Sequence, residues 1–167
     1  EAKGTGFDGG TRSACVMRYP DNIPAGSISN QAFCTVDLLP TFAKLAGADL
    51  PDATIDGVDV WDIIIGQPEA KNSHEYYPVS TGRNFDGVVS GDGKWKLHLP
   101  HDYRTLVEVG NDGQPGRYDT AHIELSLFDM ENDPYETTNV IDQHPETAQK
   151  LQKFAEAHRD KWWVERN

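Results

Sequence analysis

The residues best suited to chemistry lie near the start of the chain, where residues 3–12 read Lys-Gly-Thr-Gly-Phe-Asp-Gly-Gly-Thr-Arg and are called the glycine loop. Its glycines let the backbone adopt left-handed conformations and approach a ligand closely. Lys3 and Arg12 add two cations, and cations combined with free backbone N–H groups bind anions. The pattern is compatible with an anion site, whereas composition alone favours a flexible N-terminal segment.

The glycine loop resembles the lysine-bearing loop of the formylglycine-dependent sulfatases, which reads Lys-Gly-x-x-x-Glu-Gly-Gly-x-Arg-x-Pro. Lys3 falls on the lysine that contacts sulfate in that family, and Arg12 falls on its arginine. Asp8 stands where the family has glutamate, and Ala14 stands where it has proline. Because the cations are retained, the resemblance implies that Lys3 is catalytic and that Asp8 and Arg12 support the loop.

Later segments resemble the same family in the same order. Residues 37–47 match its Asp-Leu-x-Pro-Thr-x-x-x-Leu-Ala-Gly pattern. Residues 129–139 resemble its Asp-Leu-x-x-Asp-Pro-x-Glu-x-x-Asn pattern through Asp129, Asp133-Pro134, Glu136 and Asn139. The resemblance implies the C-terminal portion of an arylsulfatase-like member of the alkaline-phosphatase superfamily. The implied fold class is α/β. Residues 1–70 would end the catalytic α/β domain, and residues 71–167 would form a small antiparallel-sheet (α+β) subdomain with a C-terminal helix.

The chemistry implied by this resemblance needs residues that the chain does not provide. In that family a Cys or Ser in a Cys/Ser-x-Pro-x-Arg motif becomes formylglycine, whose hydrate attacks sulfur beside a divalent cation, usually calcium. Cys15 is followed by Val-Met-Arg and does not match, and Asp21-Asn22 follows Lys3 although the family's metal-binding pair precedes it. The nucleophile and calcium ligands are therefore expected in a missing N-terminal catalytic region or in a separate chain, and the chain alone is expected to be inactive.

Substrate contacts are implied for the segment that follows the Trp-Lys-x-His motif. His101 falls where some family members have a substrate-contacting histidine, and an imidazole can bind a leaving-group hydroxyl or a sulfate oxygen. Arg104 would add an anion contact or be a surface arginine. His98 would contact substrate or lie on the polar face of a strand. The sulfated substrate stays open among aryl sulfates, sulfated glycans and sulfolipids.

Composition limits the partners. Lys and Arg total 15 against 27 Asp and Glu, a net charge of −12, which argues against nucleic acids and anionic membrane surfaces. Cys15 and Cys34 are expected to be buried free thiols, with one disulfide as the alternative. The compartment is unassigned, and the resemblance favours the periplasm or the extracellular space. Two other functions stay open: a phosphate or phosphonate monoester hydrolase of the same superfamily, and a non-catalytic structural or binding module.

Hydrophobic periodicity predicts the elements that position these residues. The helix at 37–46 should bury one apolar face, and a short helix should follow at 60–65. Residues 87–90 and 94–99 should form a hairpin about residues 91–93. Residues 94–99 should alternate a buried face with a polar face that carries Lys96 and His98, and Pro78 favours an edge strand. Further strands are expected at 14–19, 75–79, 87–90 and 125–128, a long loop at 100–123, and a helix from Pro145 that Trp162 and Trp163 anchor.

Overall fold

The structure is a computed structural model that describes residues 1, 3–82 and 84–162. It confirms a mixed α/β chain with antiparallel sheets and a C-terminal helix. No helix within the described ranges is long and apolar enough to cross a membrane. The helical segments are α1 (Asp8–Thr11), a 3₁₀ turn (Thr35–Asp37), α2 (Leu38–Ala46), α3 (Trp61–Ile64) and α4 (Pro145–Trp162). The strands are β1 (Tyr76–Thr81), β2 (Asn84–Ser90), β3 (Trp95–His98), β4 (His101–Glu108), β5 (Arg117–Ile123) and β6 (Ser126–Asp129).

The chain divides into two compact units. The first, the sheet unit, comprises the described residues of 1–13, 78–90 and 94–167, and the second, the helix unit, comprises residues 14–77 and 91–93. The predicted boundary at residues 70 and 71 stays a prediction.

The sheet unit is built on a four-stranded sheet in the order β1-β2-β3-β6. Antiparallel pairing of β2 with β3 confirms the predicted hairpin, and the edge position of β1 agrees with Pro78. The helix α4 begins at Pro145 as predicted and packs on β2 and β3. The core consists of apolar side chains from these elements, among them Val88, Leu97, Leu127, Leu151 and Ala155.

The predicted anchor at the end of α4 is wrong for Trp162, which is 60% exposed. Trp163 lies outside the described residues. The helix is held earlier along its length, where Ala148, Leu151 and Ala155 recur at helical spacing and are buried.

The polar face predicted for β3 is also wrong, because Lys96 and His98 are each only 1% exposed. Strand alternation places both on the same face, and Phe7 of the glycine loop packs its ring 4.7 Å from the ring of His98. The sequence of β3 does not show that a distant segment covers this face.

Residues 101–123 form a two-stranded ribbon where a long loop was expected. β4 and β5 pair antiparallel from His101↔Ile123 to Glu108↔Arg117, with a register shift between Leu106 and Glu108. Most residues of the ribbon are exposed, so neither strand needs an apolar face. The sequence of the ribbon therefore lacks the apolar alternation from which a strand is usually predicted. Backbone pairing rather than side-chain burial defines it.

In the helix unit, α2 and α3 confirm the two predicted helices, and Gly47 ends α2 with a left-handed φ of +63°. The side chain of Asp37 does not cap α2. It is fully buried and accepts hydrogen bonds from the backbone N–H groups of Cys34, at 2.8 Å, and Val58, at 3.0 Å. The predicted burial of the apolar face of α2 is wrong, because Leu39 and Phe42 are about half exposed.

The strand predicted at residues 14–19 is absent from the described structure. Val16 is 95% exposed, and the segment ends in a turn whose N–H groups at Asn22 and Ile23 donate to the carbonyl of Tyr19. No described strand pairs with this apolar segment, so it forms no hydrogen bonds of a β-sheet. Cys15 and Cys34 are free thiols, as expected, but Cys15 is exposed and Cys34 only half-buried.

Candidate functional site

The glycine loop is packed against the sheet of the sheet unit. Phe7 is 5% exposed, and its ring lies 4.7 Å from that of His98 and 4.8 Å from that of Tyr103. The loop then turns into α1, where the N–H groups of Gly10 and Thr11 donate to the carbonyl of Phe7 at 2.7 and 3.1 Å. These contacts fix the loop in one path, which a flexible terminal segment would not have.

Two glycines are required by this path. Gly4 has φ of +92°, a conformation that residues with a side chain rarely adopt. A Cβ at Gly6 would lie 2.8 Å from Asp86 Oδ2, so only glycine lets the backbone pass so close to this carboxylate. The spacing of the glycines therefore sets how the backbone next to Lys3 crosses β2.

Beneath the loop lies a buried group of charged and polar side chains, called here the ion cluster and formed by Asp8, Lys96, His98 and Glu136. Lys96 Nζ is 2.9 Å from Glu136 Oε1 and 3.0 Å from Asp8 Oδ1. His98 Nε2 is 3.0 Å from the same Glu136 Oε1, and the backbone N–H of Asp8 donates to Glu136 Oε2 at 2.7 Å. The buried ammonium of Lys96 is thus compensated by two carboxylates.

Burial and hydrogen bonding set the protonation of the cluster. Burial lowers the pKa of His98 below its usual 6.5 and outweighs the opposing hydrogen bond with Glu136. Burial by itself would raise the pKa of Glu136, but the hydrogen bond from His98, the charge of Lys96 and the N–H of Asp8 together lower it below its usual 4.5. The cluster is therefore built around an ionised Glu136 and a neutral His98.

Acidification is expected to destabilise the chain through this cluster. Both groups have a lower pKa folded than unfolded, so their stabilisation is complete at high pH and is lost as pH falls, from about 6.5 for His98 and about 4.5 for Glu136. Between about pH 7.5 and 5, the unfolding free energy should fall steadily, because His98 binds a proton more readily in the unfolded chain than in the folded one. Urea unfolding of the chain and of His98→Gln at several pH values measures this loss.

The variant His98→Gln should show a flatter dependence on pH over that interval, because it removes the group that titrates there. His122→Gln is the matched control, since that imidazole is about half exposed on the ribbon. Equal pH slopes for the chain and His98→Gln would contradict the role given to His98.

The structure brings Lys3, His101 and Arg104 to one region of the sheet unit. Lys3 is exposed, and within the described residues its Nζ has no hydrogen bond or ion pair. Its backbone carbonyl accepts a hydrogen bond from Arg104 Nη2 at 3.3 Å, and the Arg104 guanidinium lies 4.1 Å from the centre of the Tyr118 ring. Arg12 Nη1 is 3.5 Å from Asp8 Oδ2 at the other end of the loop.

A cavity of about 160 Å³ lies beside this region. Gly4, Thr5 and Gly6 form one wall, and the others come from β1, β2 and β4. The lining residues on those strands and their connection are Thr81, Asn84, Asp86, His101, Asp102, Tyr103 and Arg104. His98 is not among them, because it lies in the ion cluster.

Three buried side-chain atoms lack hydrogen-bond partners among the described residues: His98 Nδ1, Asp86 Oδ1 and His101 Nε2. Asp86 Oδ1 and His101 Nε2 are 3.8 Å apart. His101 Nδ1 lies 2.7 Å from the carbonyl of Leu99. A carbonyl only accepts, so Nδ1 carries the proton and a neutral His101 presents a lone pair at Nε2. The carboxylate and this lone pair favour a hydrogen-bond donor and disfavour an anion at this wall.

Sequence reasoning missed three functional candidates: Asp86, Lys96 and Glu136. Lys96 and Glu136 stand in recognised motifs, Trp-Lys-x-His and Asp-Pro-x-Glu, but these motifs indicate only a strand and a turn. Asp86 precedes a glycine in β2 and carries no sequence signal of its own. Only the packed structure shows that all three lie under or beside the glycine loop.

Within the described ranges no group of three His, Cys, Asp or Glu side chains could hold a metal ion. The described residues therefore provide no carboxylate cluster for calcium.

Comparisons with known proteins identify the class. No family model matches the chain. Bovine arylsulfatase A is 33% identical over 152 residues, 87% of this chain, and human arylsulfatase A is 30% identical over 83% of it. An N-acetylgalactosamine-6-O-sulfatase of Bacteroides thetaiotaomicron is 29% identical over 93% of the chain. The chain belongs to the sulfatases.

The match covers only part of each relative. The chain spans 29% of bovine arylsulfatase A, 28% of the human protein and 29% of the bacterial sulfatase, an extent consistent with the C-terminal portion. One solved structure, a complex with its substrate D-glucosamine-2-N,6-O-disulfate, is 23% identical and has a TM-score of 0.52. It covers 86% of this chain and 27% of that protein, and it supports the fold.

Proposed function

We propose that the chain is the C-terminal part of an enzyme that hydrolyses sulfate esters, in which Lys3 contacts the sulfate group. The observation that carries this proposal is the packed glycine loop, in which the exposed Lys3 precedes the cavity-lining residue Gly4 and its Nζ has no hydrogen bond or ion pair among the described residues. An ammonium at this position offsets the negative charge that builds on the bridging oxygen as the S–O bond breaks. Lysine suits this role as a compact point charge.

The residues at the cavity suit the two parts of such a substrate. Arg104 lines the cavity and Lys3 precedes the lining residue Gly4, so these two cations suit the sulfate group. Asp86 also lines the cavity, and its carboxylate repels an anion but accepts a hydrogen bond from a hydroxyl group. His101 lies next to Asp86, so we assign it to the hydroxyl-bearing part of a sulfated small molecule or glycan, and we assign His98 to the support of the loop.

The remaining machinery is proposed to lie outside this chain. A preceding catalytic region would supply the formylglycine and the calcium ligands, with residues 1–70 as the end of its alkaline-phosphatase-like domain and residues 71–167 as a subdomain. The sulfatases similar to this chain give that proposal its support. On the same family resemblance, we propose a periplasmic or extracellular location.

Sulfate is expected to protect Lys3 from amine-directed labelling. At a sulfate concentration of twice the dissociation constant, Lys3 should be labelled about threefold more slowly, because about a third of the sites are free. Peptide mass spectrometry measures the rate for each lysine. Lys71, an exposed lysine of the helix unit, is the internal control and should be unaffected. Identical rates with and without sulfate at Lys3 would contradict the proposed site.

A further inference from the structure

We propose that Glu136 is a positioning residue that fixes the glycine loop and thereby places Lys3. Both of its carboxylate oxygens are used. Oε2 accepts the backbone N–H of Asp8 at 2.7 Å, and Oε1 lies 2.9 Å from Lys96 Nζ and 3.0 Å from His98 Nε2. The Glu136 side chain is 2% exposed, so these contacts form out of reach of bulk water, where hydrogen bonds to a charge are strongest.

The turn before Glu136 directs its side chain into the sheet unit. Asp133 Oδ2 accepts the N–H groups of Thr137 and Thr138, both at 2.7 Å, and the N–H of Glu136 donates to the Asp133 carbonyl at 3.1 Å. Glu136 itself has φ of +55°, which is uncommon for a residue with a Cβ. Such a conformation persists only where the surroundings enforce it, which is typical of functional positions.

The contact at Asp8 matters because it holds the far end of the segment from Lys3 to Asp8. Arg104 holds the carbonyl of Lys3 at 3.3 Å, and Glu136 holds the N–H of Asp8, so the intervening glycines are fixed at both ends. Glycines gain the most conformational freedom when such restraints are lost. Without Glu136, the segment from Lys3 to Asp8 should sample many conformations and seldom present the ammonium at the cavity.

Glu136 also keeps the second lysine of the region away from the anion. Lys96 forms ion pairs with Glu136 and Asp8, and its side chain is 1% exposed. Its ammonium therefore cannot reach a ligand in the cavity. Of these two lysines, Lys3 is therefore the one whose exposed ammonium can contact a sulfate group. The role given to Glu136 in placing Lys3 rests on the proposed function, whereas its hold on the loop does not.

Hydrogen exchange of the intact chain tests the hold on the loop. In Glu136→Gln, the amides of Asp8, Gly10, Thr11 and Arg12 should exchange about tenfold faster or more, a factor that corresponds to about 1.4 kcal/mol. The amides around Leu151 in α4 should accelerate by a smaller factor, which reports only the loss of global stability. Glu131→Gln is the matched control, because Glu131 pairs with Lys94 in an exposed contact close by in sequence.

Unchanged exchange in the loop, or equal acceleration in the loop and in α4, would overturn the proposal. If Glu136→Gln does not fold, the same exchange rates are measured in Glu136→Asp. That variant keeps the negative charge but has a side chain one methylene shorter. Sulfate protection of Lys3 is measured in the same folded variants and should weaken in Glu136→Gln only. A lack of protection in the unaltered chain would defeat the proposed function, while the exchange rates would still decide whether Glu136 holds the loop.

Discussion

Replacing Lys96 with methionine is expected to lower the unfolding free energy by about 3–5 kcal/mol, because it leaves two carboxylates buried without their cation. Glu136 and Asp8 both lie within 3.0 Å of Lys96 Nζ, and their side chains are 2% and 17% exposed. Methionine keeps the length and the apolar stem of lysine, so the change isolates the charge. Urea unfolding near neutral pH measures the effect.

Lys94→Met is the matched control for this prediction. Lys94 Nζ is 2.9 Å from Glu131, but the two side chains are 41% and 66% exposed, so the loss should be at most about 1 kcal/mol. A similar, small loss for both variants would show that the ion cluster does not stabilise the fold. The double variant Lys96→Met/Glu136→Gln should recover part of the loss, since it removes a cation and an anion together.

Replacing Lys3 with alanine in the complete protein that carries this chain is expected to lower kcat for sulfate ester hydrolysis by about 10²–10³-fold. Losing one group that stabilises the developing negative charge has an effect of this size in other hydrolases. The fold should be unaffected, because Lys3 is exposed and its only described hydrogen bond uses the backbone carbonyl. Steady-state kinetics with an aryl sulfate measures the change.

Lys3→Arg and Lys71→Ala are the controls for the loss of activity. Arginine keeps the charge but spreads it over a planar group, so partial activity is expected from Lys3→Arg. Lys71 is an exposed lysine of the helix unit, and its removal should leave kcat unchanged. Full turnover by Lys3→Ala would rule out the role assigned to Lys3, whatever the stability of the variant.

Much of the secondary structure follows from local sequence. The helix α2, the β2–β3 hairpin and the start of α4 at Pro145 were predicted correctly, because each depends on residues within a few positions of one another. The failures share a different cause. The ribbon at residues 101–123 has no apolar alternation, and the segment at residues 14–19 is apolar but finds no partner strand.

The sequence by itself determined the family. Its motifs each depend on residues within a few positions of one another, and their order along the chain indicates the sulfatases. The sequence also predicted an anion site at Lys3 and the glycines that surround it.

Only the tertiary structure decided how that pattern is supported. Asp8 and Glu136 are 128 residues apart, and Lys96 is 88 residues from Asp8, so no local pattern could show that they meet. They meet because the glycine loop covers the face of β3 that was expected to be polar. A buried ammonium must be paired with carboxylates, and folding supplies both of them from distant segments.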